Sequence, residues 1–262
     1  MNKVLLHTPV GVRDIYGREC AVKLTIENNI NNIFNIYGYH NIQTPTFEFF
    51  DIFSKERGSV PSKNLYKFFD REGETLVLRP DITPSIARLV AKYYMDTNVP
   101  IKLCYNANTY INTSELQGKL KENTQLGCEL INDDSIEADA EIIALLVESL
   151  KASGLEEFLV EIGHVNFYKG LIEESGLDEE AEFNLREMII NKNDFGVEEI
   201  LNENIVVGEV KEAMLKLPEL FGSVEVLATA KQVTSNKKAL DAIRRLEKLY
   251  AILEEYGVSK YI

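Results

Sequence analysis

Between residues 17 and 37, apolar side chains recur at three- and four-residue intervals (Cys20, Leu24, Ile26, Ile30, Ile33, Phe34 and Tyr37). This predicts an amphipathic helix that Gly38 ends. Two short β-rich runs, 66–69 and 75–78, flank the turn formers Asp70 to Glu74 and predict a hairpin. Residues 81–94 return to helical spacing, with Ile82, Ile86, Leu89, Val90 and Tyr93 on one face. Pro84 falls in the first turn, where its missing N–H leaves no intrahelical bond unmade. Two longer strands, 101–110 and 124–131, flank a polar stretch around Gly118 and predict a long hairpin with an exposed tip. A helix over 137–152 and an alternating, strand-like run at 158–162 follow.

Strands joined by short turns outnumber strands joined by crossover helices, so the expected class is α+β with mainly antiparallel pairing. From about Gly170 to Gly222 the pattern changes to short acidic helical segments, such as 178–190 and 207–217, read as a small helical insertion. The chain returns with a strand at 224–228 and a long helix at 236–256, striped by Leu240, Ile243, Leu246, Tyr250 and Leu253. The expected organisation is a core over 1–169, the insertion over 170–222 and a return to the core over 223–262. The residues after Gly257 stop where an apolar strand would begin, so the last sheet strands are expected to be missing.

Composition narrows the function. With 262 residues, 45% of them hydrophobic, the chain can bury a sizeable core. Its 42 acidic residues outnumber 28 basic ones, for a net charge of −14, which argues against a nucleic-acid partner that basic clusters would have to neutralise. No apolar run approaches the roughly 18 residues of a membrane span, and the amino terminus has no signal-peptide pattern. Cys20, Cys104 and Cys128 are too scattered for a disulfide framework or a zinc site, which points to a reducing cytoplasm. His7, His40 and His164 follow no metal-ligand or Ser/His/Asp spacing, and the acidic runs near Glu173 and Asp178 read as solvated helix faces. No cofactor, metal or catalytic residue is expected.

Four separated segments, in order and spacing, resemble the histidyl-tRNA synthetase family. They are Pro9, Gly11, Arg13 and Asp14; the stretch from Gly38 to Glu48, similar to motif 1 of class II synthetases; Arg79, Pro80, Asp81 and Thr83; and the strand holding Gln125, Gly127 and Glu129. The resemblance implies a class II synthetase-like sheet flanked by helices, a homodimer through motif 1, and a histidine pocket. In that pocket Asp81 and Thr83 would meet the α-amino group, and Gln125 and Glu129 would line one strand face. Asp81 stands where the family usually has Glu. Read without the resemblance, Asp81 and Thr83 fit a helix cap and Glu129 fits a surface pair with Lys.

The departures from the family bear on activity. Adenylation needs a cation against the α-phosphate, which class II enzymes supply as an Arg at the end of the first motif 2 strand. Ile111 occupies that position here, and Asn112, Thr113, Ser114 and Glu115 bring no cation; the hairpin tip carries Lys119 and Lys121 in place of the family's arginines. The family's later histidine-binding segment, motif 3 and anticodon-binding domain have no counterpart in the sequence. The resemblance therefore implies a non-catalytic, synthetase-like regulatory subunit of short-form ATP phosphoribosyltransferase, partnered by the catalytic subunit, with histidine as effector. A synthetase fragment that adenylates histidine, and a free histidine-sensing or scaffold protein, remain open at this point.

Overall fold

The computed structural model describes residues 6–54, 60–113 and 118–262; Ser114 and Glu115 of the motif 2 comparison therefore lie outside the described residues. The chain divides into two compact units, residues 1–134 with 148–156, and residues 135–147 with 157–262.

The first unit opens with helix α1 (Gly17–Ile36), close to its expected limits. It ends where Gly38 takes φ +81° and the Tyr39 N–H reaches back to the Phe34 carbonyl at 3.0 Å, a closure suited to a residue without a Cβ. Strand β1 (His40–Asn41) then lies parallel to β5 (Ile101–Tyr110), whose other edge carries the antiparallel β6 (Glu122–Ile131). A second sheet places β4 (Thr75–Leu78) between β2 (Phe47–Phe49) and β3 (Lys67–Phe69), both antiparallel to it. Beneath it Phe53 of α2 (Asp51–Ser54), Leu65 and Val77 form a small core. Helix α3 (Thr83–Tyr93) carries Pro84 in its first turn, as expected.

The β5/β6 ladder runs unbroken from Ile101 opposite Ile131 to Tyr110 opposite Glu122. Side chains alternate across such a ladder, so Ile101, Leu103, Tyr105 and Ala107 share a face with Ile131, Glu129, Gly127 and Gln125. The apolar part of that face packs against Ile82 and Ile86 of α3. Each such side chain contributes about 1.5–3 kcal/mol on full burial, which fixes the start of α3 beside the polar part of the same face.

Two charged groups tie the segments together. The Arg79 guanidinium, 5% exposed, donates to the carbonyls of Thr44 (2.8 Å), Pro45 (3.2 Å) and Asn108 (2.8 Å). Arg88 pairs with the buried Glu48 at 2.7 Å, joining α3 to β2.

The second unit is helical. Helix α4 (Ile136–Ala152) contributes residues up to 147 to it. Then come α5 (Val165–Ser175), α6 (Glu179–Ile190), α7 (Asp194–Glu203), α8 (Glu209–Lys216), α9 (Val226–Gln232) and α10 (Lys237–Glu255). Their starts follow from side-chain caps: His164, Asp178, Asn193 and Asn236 each accept a backbone N–H of the first turn. Leu171, Leu185, Val197, Leu201 and Met214 make one core, and Ala140, Ala144, Leu249 and Leu253 another. Gly170 lets α5 approach α10: a Cβ there would lie 2.5 Å from the Asn236 Oδ1 that caps α10.

Two expectations are corrected. Residues 224–228, read as a strand, enter helix α9, because Val226, Leu227 and Ala230 fall at helical spacing and a short apolar run does not fix its own period. Residues 158–162 form no strand ladder; Val160 N–H bonds the Tyr261 carbonyl at 2.7 Å and Phe158 stacks on Tyr261. The helical stretch also begins at Val165, ahead of the expected Gly170.

Candidate functional site

The polar end of the β5/β6 face and the approach to α3 bring Asp81, Thr83, Gln125 and Glu129 together. Thr83 Oγ1 donates to Glu129 Oε1 at 2.7 Å. Gln125 Nε2 donates to Asp81 Oδ1 at 3.2 Å and to Tyr105 Oη at 3.3 Å, and Asp81 Oδ1 also accepts the Ile82 N–H at 2.7 Å. Each element places its residue for a local reason: Asp81 and Thr83 precede and open α3, while Gln125 and Glu129 are four residues apart on one strand and so face the same way. Asp81 does hold a backbone N–H, but α3 is entered through Ile82, which offers no side-chain cap. Glu129 bonds Thr83 and lies within the sheet face, so it is not a surface carboxylate seeking a lysine.

The electrostatics favour a cation. Burial raises the Glu129 carboxyl above the ordinary range, the Thr83 hydroxyl offsets part of this, and the Asp81 charge raises it further. Tyr105, 5% exposed, is pushed up to about 12, chiefly by burial and next by Glu129. Two carboxylates are thus held together by neutral hydroxyl and amide donors, and a bound ammonium or imidazolium would offset their desolvation.

Tyr105 was not singled out by the sequence reading. Its signal is a phenol on the otherwise apolar stripe Ile101, Leu103, Ala107, opposite Gly127 in the ladder. Gly127 is what admits it: a Cβ there would lie 2.5 Å from Tyr105 Cζ. Gly127→Ala should therefore displace the ring and cost about 1–3 kcal/mol of overpacking, read as a lower urea midpoint. Adding Tyr105→Leu, which removes the far end of the ring, should recover most of the loss; an unchanged midpoint in the single variant would contradict the close approach.

Ile111, the first residue past β5, is half-buried, and its backbone is spent locally: its N–H bonds the Lys121 carbonyl at 2.9 Å and its carbonyl accepts the Thr113 N–H at 3.0 Å. The Lys121 N–H in turn bonds the Gly11 carbonyl at 2.7 Å, so the Gly11 segment and the hairpin tip meet. Gly11 has φ +86°, and a Cβ there would lie 2.6 Å from Lys121 Cγ. Lys119 is exposed.

Of the histidines, His164 caps α5, its Nδ1 accepting the Asn166 N–H. Among the described residues, no group of three or more His, Cys, Asp or Glu is placed to hold a metal ion, and no helix is long and apolar enough to cross a membrane.

The sequence model of the family described as "Histidyl-tRNA synthetase" matches residues 11–261. The chain belongs to the histidyl-tRNA synthetase family. Within this family it is 45% identical over 262 residues to an ATP phosphoribosyltransferase regulatory subunit of Ruminiclostridium cellulolyticum, covering 100% of this chain and 62% of the relative. It is 40% identical to one of Acetivibrio thermocellus, covering 98% and 62%. A solved structure described as an ATP phosphoribosyltransferase regulatory subunit/histidyl-tRNA synthetase from Bacillus halodurans superposes with a TM-score of 0.89 at 35% identity, covering 98% of this chain and 67% of that one. The chain thus spans about 62% of the length of the first curated relatives it matches. The synthetase-like fold is carried by both units, since the family match runs through them.

Proposed function

We propose that this chain is the synthetase-like part of a regulatory subunit of ATP phosphoribosyltransferase, one that binds histidine and performs no aminoacylation. What supports this reading is a pairing of presence and absence around the β5/β6 hairpin and the start of α3. The acidic cradle of Asp81, Thr83, Gln125, Glu129 and Tyr105 is assembled, and Ile111 stands where the resemblance puts the phosphate-binding cation. The cradle supplies acceptors for an ammonium and an imidazole. Ile111 supplies no charge to an α-phosphate, so binding is kept and adenylation is lost.

The similarity to named regulatory subunits supports the same reading. The partner is then the short-form catalytic subunit, which transfers phosphoribose from phosphoribosyl pyrophosphate to ATP. Histidine acts by binding one conformation of the assembly better than another, converting ligand affinity into a coupling energy between subunits. The subunit works in the cytoplasm as a homodimer through the motif 1 segment. Phe47, Phe49 and Phe68 support this dimer, since they leave an exposed aromatic face on the β2–β4–β3 sheet.

The test uses the full-length protein. Mixed with the short-form catalytic subunit, it should restore phosphoribosyl transfer that the catalytic subunit alone lacks, and histidine should suppress the restored rate. Histidine-dependent exchange of pyrophosphate into ATP by the protein alone would overturn the proposal in favour of an adenylating synthetase. Histidine binding without any rescue would leave a free histidine sensor and equally defeat it.

A further inference from the structure

Cys104 and Cys128 face each other across the β5/β6 ladder, and neither forms a disulfide. The kind of pair they make follows from the hydrogen bonding of the central strand. The Cys104 carbonyl accepts the Ile42 N–H, on the β1 side, at 2.9 Å. In a strand the N–H and C=O of one residue point the same way, so Cys104 directs neither group toward β6. Other residues agree: the Tyr110 N–H and the Asn108 carbonyl, an even number of positions away, bond Arg79, whereas the Ile111 N–H, an odd number away, bonds Lys121 across the hairpin. Cys104 and Cys128 are therefore a non-hydrogen-bonded pair, the closer of the two antiparallel arrangements, with Cα atoms about 4.5 Å apart. That spacing falls inside the roughly 4.4–6.8 Å range of disulfides.

The two thiols are not equivalent. Cys104 is fully buried and its Sγ donates to Asn41 Oδ1 at 3.6 Å, whereas Cys128 is half-buried on the outer strand of the hairpin. Burial raises the Cys104 thiol above its ordinary pKa, which leaves Cys128 as the sulfur that meets solvent first.

We infer that Cys104 and Cys128 form a reversible cross-strand disulfide, made by exchange with a low-molecular-weight disulfide. The Cys128 thiolate attacks one sulfur of the small disulfide, whose other half leaves as a thiol. Cys104 then attacks Cys128 Sγ in the mixed disulfide and expels the second thiol. Two electrons and two hydrogens pass from the protein to the oxidant, which is reduced to two thiols. The product staples the hairpin one residue from Glu129 and one from Gly127, on the opposite face of the strand.

The experiment treats the full-length folded protein with oxidised glutathione, quenches with an alkylating agent and maps the peptides by mass spectrometry. A peptide around Cys104 should be linked to one around Cys128, be released by dithiothreitol, and form while Cys20 remains alkylated. Cys128→Ser should abolish the link, and Cys20→Ser should leave it unchanged. Cys104→Ala should instead trap the glutathione adduct on Cys128, which keeps the inference testable if the first variant folds poorly. A stable glutathione adduct on Cys128 of the unmutated protein, without the link, would overturn the inference, as would a link appearing only after denaturation.

Discussion

Glu129→Gln is expected to stabilise the unliganded protein at pH 7 and to weaken the histidine binding proposed for the cradle. Glu129 has a raised carboxyl pKa in the fold, from burial first and from the Asp81 charge in addition. Between the unfolded and folded pKa values the folded state keeps a proton that the unfolded state has released. Stability therefore falls as pH climbs through that window and stays lower above it. Glutamine carries no such cost and still offers an oxygen to Thr83. The gain in urea midpoint should be present at pH 7, shrink as pH falls through that window, and be gone below the ordinary carboxylate range. Histidine affinity moves the other way: a charge-assisted hydrogen bond is worth about 1.5–3 kcal/mol, so calorimetric titration of the full-length variant should show a loss of roughly 10- to 100-fold. A variant that is less stable at pH 7, or that binds histidine normally, would remove Glu129 from the site. Opposed changes in stability and binding are the mark of a group kept for function.

Arg79→Met should cost about 3 kcal/mol of stability, read as a lower urea midpoint with an unchanged slope. The side chain is nearly closed off from solvent and satisfies carbonyls from segments about thirty residues away on either side of it. Methionine fills much of the volume but donates nothing, so the carbonyls of Thr44, Pro45 and Asn108 lose their partner. Lysine should recover only part of the loss, because one ammonium does not reproduce a planar fork aimed at several acceptors. An Arg79→Met variant with a wild-type midpoint would show that water replaces the guanidinium at no cost. The same residue opens the Arg-Pro-Asp segment that the sequence associates with a pocket; in the structure it holds the frame, two residues before the Asp81 that faces the cradle.

How much of this was legible differs by residue. Asp81, Thr83, Gln125 and Glu129 could be singled out because they sit in segments that resemble a family, and alternation along one strand placed the last two on a common face. Their direct bonds, Thr83 to Glu129 and Gln125 to Asp81, depend on how α3 docks against β6, and no local pattern encodes that. The pairing of Tyr105 with Gly127 went unremarked because their meaning is mutual: a phenol and a missing Cβ explain each other only once the ladder register sets them opposite. The segment 224–228 failed for a different reason. Five residues of mixed apolar character are compatible with either period, and their neighbours in the second unit settle the matter.

By itself, then, the sequence determined the longer helices, the two hairpins and the acidic balance, because periodicity, turn chemistry and residue identity are local properties. The tertiary structure decided the rest: which side chains complete the acidic cradle, that Arg79 is a clamp, and that Cys104 meets Cys128 on the closer kind of strand pair. Those outcomes turn on register and docking, which are fixed by contacts between residues far apart in the chain, and a local pattern carries no information about a partner it does not touch.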